Sequence, residues 1–230
     1  MPFPMTHLIV AHKMAESYPN FAADPPRFFL GAIAPDAVHY RDGFTGDDKK
    51  RSHLTPGDEA WGLCTRNDEW AENALELLRQ GENLGGWDFI RGYAVHILCD
   101  ICNNIYVWTP FRLKHPGVLE REGRDNISHR ESGLVDLRLS QIYAQKPEIW
   151  EALGKARAFD FEGLAGGFTG GLISGLISKE ELEKIRRSLL CEQYNDLPET
   201  DTSGNVLHTC ESQLEFVDRA VEFIAEMIYS

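Results

Sequence analysis

Residues Trp87–Trp108 read WDFIRGYAVHILCDICNNIYVW, and their pattern decides the fold. Between Gly92 and Ile101 apolar side chains cover almost the whole circumference of a helix, so the segment reads as a helix buried on all sides. A helix of that kind needs other elements packed around it, and the flanking sequence supplies helices. No period-2 run suggests a strand, and no internal repeat is present. Thr6 is the expected cap of a first helix, His7 to Tyr18, with Leu8, Ile9, Ala11 and Met14 on its inner side. Pro19, Pro25 and Pro26 mark a break. The apolar run from Phe28 to Ala34 leads into Pro35 and Asp36, then a polar loop over residues 42–50. A helix is expected from Thr55 to Gln80, carrying Trp61, Trp70 and Leu77 and ended by Gly81, Gly85 and Gly86.

Beyond the central segment, Pro110 and Pro116 interrupt the chain. Further helices are expected at Arg130–Ala144, Pro147–Arg157, a Gly-rich stretch over 161–177, and Lys179–Cys191. Glu192–Asn205 reads as a loop, and His208–Tyr229 as an amphipathic closing helix. The expected class is all-α: one domain over residues 1–230, a multi-helix bundle around a buried central helix.

Composition narrows the function. A formal net charge of -13 leaves no Lys/Arg excess to displace phosphate counterions, which argues against long nucleic acids as partners. A local positive site made by bound metal stays open. No stretch has the length and apolarity of a membrane span, and the first residues lack a signal peptide's basic and apolar regions. The five cysteines, Cys64, Cys99, Cys102, Cys191 and Cys210, are odd in number and scattered. That argues against a disulfide framework, and the expected compartment is the cytoplasm. Cys99 and Cys102 resemble a metal or redox pair, but their place in the apolar helix favours packing.

His96 and Asp100 stand four apart, so both leave the same helix face. A carboxylate inside an apolar helix needs compensation, and either a metal ion or a His–Asp hydrogen bond supplies it. Ahead of them come His7, Asp36 and His53, so the order of imidazoles and carboxylates is His, Asp, His, His, Asp. These are ligand types that zinc prefers. Each is weak alone; together, within a hundred residues, they define a candidate metal site with zinc first and other divalent ions open.

Those residues and their neighbours, His7, FLGAIAPD over 29–36, SHL over 52–54 and GYAVHILCD over 92–100, resemble the zinc-dependent phospholipase C family. The all-helical fold of that family is shared with zinc-dependent single-strand nucleases. The likeness spans roughly residues 5 to 140. It implies that Asp36, His53, His96 and Asp100 surround one zinc, and that Asp100 bridges to a second ion also held by His7. Asp36 is then a ligand or the group that orients the attacking water, and thus the candidate catalytic base. In secreted relatives the N-terminal amine helps hold the second ion; here loss of Met1 would leave Pro2 five residues before His7.

The sequence departs from the family at a third site. No His follows Asp100 near Asn103, Asn104 or Tyr106, and neither His115 nor His129 has a Glu four residues on. A variant site from His129 with Glu131 or Asp136 stays open, but one or two ions is the expectation. Arg41 is a further candidate for a phosphate oxygen or a solvated loop residue, and His39 a reserve ligand or a surface His. His12 is expected to be exposed. Phe44, Trp61, Trp108 and Phe111 line either a cleft or the core. The implied activity is metal-assisted hydrolysis of a small phosphoester or phospholipid-like substrate. The alternatives are a nuclease or nucleotidase, and a non-catalytic metal-binding protein.

Overall fold

The structure is a computed structural model that describes residues 2–82, 87–117, 127–157 and 176–230. Within them the chain is all-helical. Helices α1 (Pro4–Ser17) and α2 (Pro25–Ile33) lead into a 3-10 turn, Ala34–Tyr40. Then come α3 (Gly46–Ser52), α4 (Asn67–Gly81) and α5 (Trp87–Asn103). A π turn, Asn104–Trp108, joins α5 to α6 (Thr109–Lys114). Helices α7 (Ile127–Ile142) and α8 (Lys146–Lys155) follow, then the helices Lys179–Ser188 and Cys210–Tyr229.

The axis is α5, buried without interruption from Gly92 to its end at Asn103. It packs on α1, α2, α4 and the C-terminal helix, most extensively on α2. Two glycines make that contact close. A Cβ on Gly92 would lie 2.0 Å from the Phe28 carbonyl oxygen, and one on Gly31 would lie 2.1 Å from that of Phe89. Backbone therefore meets backbone where α2 crosses α5, and the C-terminal end of α2 is brought against His96.

Local physics moves several expected boundaries. Helix α1 starts at Pro4, with Phe3 rather than Thr6 at its N-cap. Pro4 presets φ for a helix start. Asp136 of α7 then caps from a distance, accepting from the Met5 and Thr6 amides at 3.2 and 3.0 Å and from the Thr6 hydroxyl at 3.1 Å. The expected Thr55–Gln80 helix begins only at Asn67. Gly57 and Gly62 upstream take φ of +72° and +80°, which no helix accommodates. The polar loop over 42–50 holds the start of α3, whose capping box pairs Thr45 with Asp48. Pro110 does not interrupt the chain but sits in the first turn of α6, where its missing amide proton is harmless. The Gly-rich stretch lies, except for its last two residues, outside the described residues. Among the described residues, no helix is long and apolar enough to cross a membrane.

Candidate metal centre

Three chain segments meet at His96. Helix α2 ends at Ile33, so the Ala32 carbonyl has no partner within its own helix. It accepts instead from His96 Nδ1 at 2.7 Å. Asp36 projects from the 3-10 turn that follows. His53 lies just past α3, and its Nδ1 donates to the Lys49 carbonyl at 3.0 Å, with Ser52 Oγ at 2.9 Å. The frame around His53 is tied down in turn. Its carbonyl accepts from Trp70 Nε1 at 2.7 Å, and the Ser52 carbonyl accepts from the Tyr93 hydroxyl. Carbonyls near two helix ends thus fix the orientation of both imidazoles.

A carbonyl only accepts, so both Nδ1 atoms carry the proton and both Nε2 atoms present lone pairs. Those two Nε2 atoms stand 3.3 Å apart, a repulsive arrangement unless a cation lies between them. Carboxylates complete the cluster. His53 Nε2 is 3.3 Å from Asp36 Oδ1 and 3.5 Å from Asp100 Oδ2; His96 Nε2 is 3.9 Å from Asp36 Oδ2 and 4.0 Å from Asp100 Oδ2. The other Asp100 oxygen faces His7 Nε2 at 3.6 Å, and the His7 ring stacks on His96 with centroids 3.6 Å apart. All five predicted ligands therefore converge.

Three atoms in the cluster are buried without a hydrogen-bond partner: both His7 ring nitrogens and Asp100 Oδ1. Such groups are costly to leave unsatisfied. Two triads are compatible with a metal ion, His7–His96–Asp100 and Asp36–His53–His96. They share His96, whose Nδ1 is already committed to Ala32, so its single free nitrogen serves one ion at a time. A division within that limit would give Asp36, His53, His96 and Asp100 Oδ2 to one ion and leave His7 with Asp100 Oδ1 for a second.

Electrostatics separate the two carboxylates. Burial pushes Asp100 up to about 7. Burial also acts upward on Asp36, but the Lys49 ammonium beside it leads the opposing causes, and the group is held well below the usual range. Burial lowers His53 to about 3 and His96 to about 4 and takes His7 well below normal. The three imidazoles are therefore neutral at physiological pH, the state in which they ligate metal.

Other candidates go elsewhere. Arg41 is neither solvated nor free for phosphate: it bonds Glu181 at 2.7 Å, Asp48 at 2.9 Å and the Leu176 carbonyl at 2.7 Å, clasping α3 to the Lys179–Ser188 helix. Glu131 accepts from the Val206, Leu207 and His208 amides. Asp136 caps α1. Both are thus bound into the fold, and neither joins a metal-compatible group among the described residues. His115 is exposed, and His39 sits at the rim, 3.9 Å from Asp36 Oδ1. His12 is buried rather than exposed, held between Glu16 and Glu148. Cys99 and Cys102 are buried and unpaired.

A cleft opens over the cluster in two compartments that share Pro2, Phe3, Trp61 and His129. One, of about 430 Å³, includes Asp36, His39 and Lys49 in its lining. The other, of about 250 Å³, includes Thr6, Asn103, Trp108 and Phe111. Trp61, Trp108 and Phe111 are therefore cleft residues, while Phe44 packs on His39. Sequence reading missed Lys49, although its position four before His53 on a helix was a usable signal. No protein-family model, curated protein or solved structure matches this chain.

Proposed function

We propose that this protein is a zinc-dependent phosphoester hydrolase whose ions are held by His7, Asp36, His53, His96 and Asp100. The observation that carries the reading is the pair of facing Nε2 lone pairs 3.3 Å apart, beside the unpartnered atoms of His7 and Asp100. Zinc bonds of about 2.0 Å in a tetrahedron separate neighbouring ligand atoms by roughly 3.3 Å. The spacings of 3.3 to 4.0 Å around His53 and His96 approach that figure. The resemblance to the zinc-dependent phospholipase C family supports the same assignment, and the open cleft above the cluster gives a substrate access.

Bound zinc supplies a water of lowered pKa and neutralises phosphoryl oxygens. The chain's own residues do the rest. Ala32 and Lys49 carbonyls aim His96 and His53. Asp36, kept ionised beside Lys49, is positioned at the cleft to accept or orient a proton from the attacking water. The cleft walls Trp61 and Phe3 bound the volume a substrate occupies.

The test is elemental analysis of purified protein followed by hydrolysis of bis-p-nitrophenyl phosphate and p-nitrophenyl phosphate. We expect one or two zinc ions per chain, and turnover that Asp36→Asn and Asp100→Asn abolish while the helical circular dichroism persists. Bound zinc without turnover of either ester would leave a metal-binding protein and refute the hydrolase reading.

A further inference from the structure

Charge is divided unevenly along the cleft. The larger compartment carries Lys49, the one Lys or Arg among the described lining residues of either compartment. Its ammonium lies 3.2 Å from Asp36 Oδ1 and 3.1 Å from His39 Nε2, and 4.8 Å from the centre of the Trp61 ring. All of its partners belong to the cleft wall, and the side chain is only 15% exposed. The smaller compartment has no Asp, Glu, Lys or Arg in its described lining, and Phe3, Trp61, Trp108 and Phe111 give it aromatic walls.

We infer that Lys49 binds a non-bridging phosphoryl oxygen, that the aromatic compartment takes a single organic group, and that the substrate is a phosphomonoester. The inference rests on the hydrolase reading above and deepens it. A phosphomonoester carries two negative charges near neutral pH and one organic arm; a diester carries one charge and two arms. One ammonium beside the metal cluster matches the additional charge, since a hydrogen bond between an ammonium and a phosphoryl oxygen is charge-assisted. The uncharged compartment matches one arm. A second arm would have to lie against Lys49, Asp36 and His39, where it would strip water from charged groups without replacing their hydrogen bonds. In the reaction, the water oxygen bonds to phosphorus, the ester P–O bond breaks, and the alcohol leaves with one of the water protons. Inorganic phosphate remains on the Lys49 side.

The experiment compares zinc-loaded wild type with Lys49→Met and Lys49→Arg in three readouts: zinc content, calorimetric binding of inorganic phosphate, and kcat/KM for p-nitrophenyl phosphate and its bis ester. Wild type is expected to prefer the monoester. Lys49→Met should weaken phosphate binding and monoester kcat/KM by about tenfold or more, the loss of one hydrogen bond to a charged group. It should lower the bis ester, which loses only the ammonium's support of Asp36, by clearly less than the monoester and keep its zinc, while Lys49→Arg should restore most phosphate binding. Phosphate binding unchanged in Lys49→Met, both esters falling in parallel, or zinc lost with the ammonium would each overturn the inference. Wild type that binds no zinc sinks the hydrolase reading and this one together. Wild type that takes zinc and cleaves diesters, with Lys49→Met behaving alike, sinks this one alone.

Discussion

Gly92→Ala is the sharpest probe of how the helix crossing builds the metal centre. The new Cβ would sit 2.0 Å from the Phe28 carbonyl oxygen and 2.8 Å from the Ala32 amide nitrogen, and both obstacles are backbone. Reaching ordinary contact requires α2 and α5 to separate by ~1.4 Å, and a backbone wall cannot yield as a flexible side chain would. The 2.7 Å bond from His96 to the Ala32 carbonyl lies at that crossing and would stretch past hydrogen-bond length. Overpacking contributes about 1–3 kcal/mol, and the broken buried hydrogen bond about 1 kcal/mol more. For a chain of this size, a loss of about 2–4 kcal/mol lowers Tm by roughly 4–16 °C. Calorimetry with chelator present reads the stability, and competition against a zinc chelator reads the centre, where affinity should fall at least about tenfold. Gly154→Ala is the control: nothing lies within 4 Å of its Cβ, in the last turn of α8. It should be neutral or stabilising by about 0.5 kcal/mol. A Gly92→Ala protein with wild-type melting and zinc affinity would refute the claim that close backbone packing sets His96.

His7→Ala should reduce bound zinc by up to one ion while the His53–His96 ion stays, read by elemental analysis after dialysis; loss of all zinc would show that the cluster does not divide as assigned. The buried Asp100 gives a pH signature in metal-free protein. Its carboxyl is raised to about 7 from an unfolded value near 3.9, so its contribution to stability is complete below the unfolded pKa and lost as pH rises through about 7. Asp100→Asn cannot ionise, so its stability relative to wild type should rise across about pH 4 to 7 and level off above it; a flat difference in urea melts would overturn the assignment. Glu131→Gln should cost about 1–2 kcal/mol, because a charged acceptor for three amides of the 206–208 segment becomes neutral. Chemical denaturation reads that loss, and a variant within about 0.3 kcal/mol of wild type would show the anchor to be slack.

Much of the centre could be read along the chain because it depends on local geometry. His96 and Asp100 share a face through helical periodicity alone, and the apolar circumference between Gly92 and Ile101 reads as a buried helix. The all-α class follows from the same periodicity. The ligand types and their order singled out His7, Asp36 and His53. The starts of α1 and α4, however, depended on a distant carboxylate and on left-handed glycines, which a propensity window weighs poorly. His12 was read as exposed because its angle on α1 turns away from His7; that angle says nothing of α8, which covers it.

Sequence alone determined that an acidic, all-helical chain carries a buried imidazole and carboxylate four residues apart, since covalent spacing and helix geometry fix that pair. Only the tertiary structure decided the rest. Gly31 and Gly92 let two backbones touch, so the Ala32 carbonyl reaches His96 across 64 residues. The turn after α3 swings His53 to within 3.3 Å of His96, and Lys49 meets Asp36. Arg41 is withdrawn from the cleft by Glu181, 140 residues away. Contacts of that kind depend on where separate helices cross, and helix crossings are set by packing between surfaces rather than by the order of residues within either one.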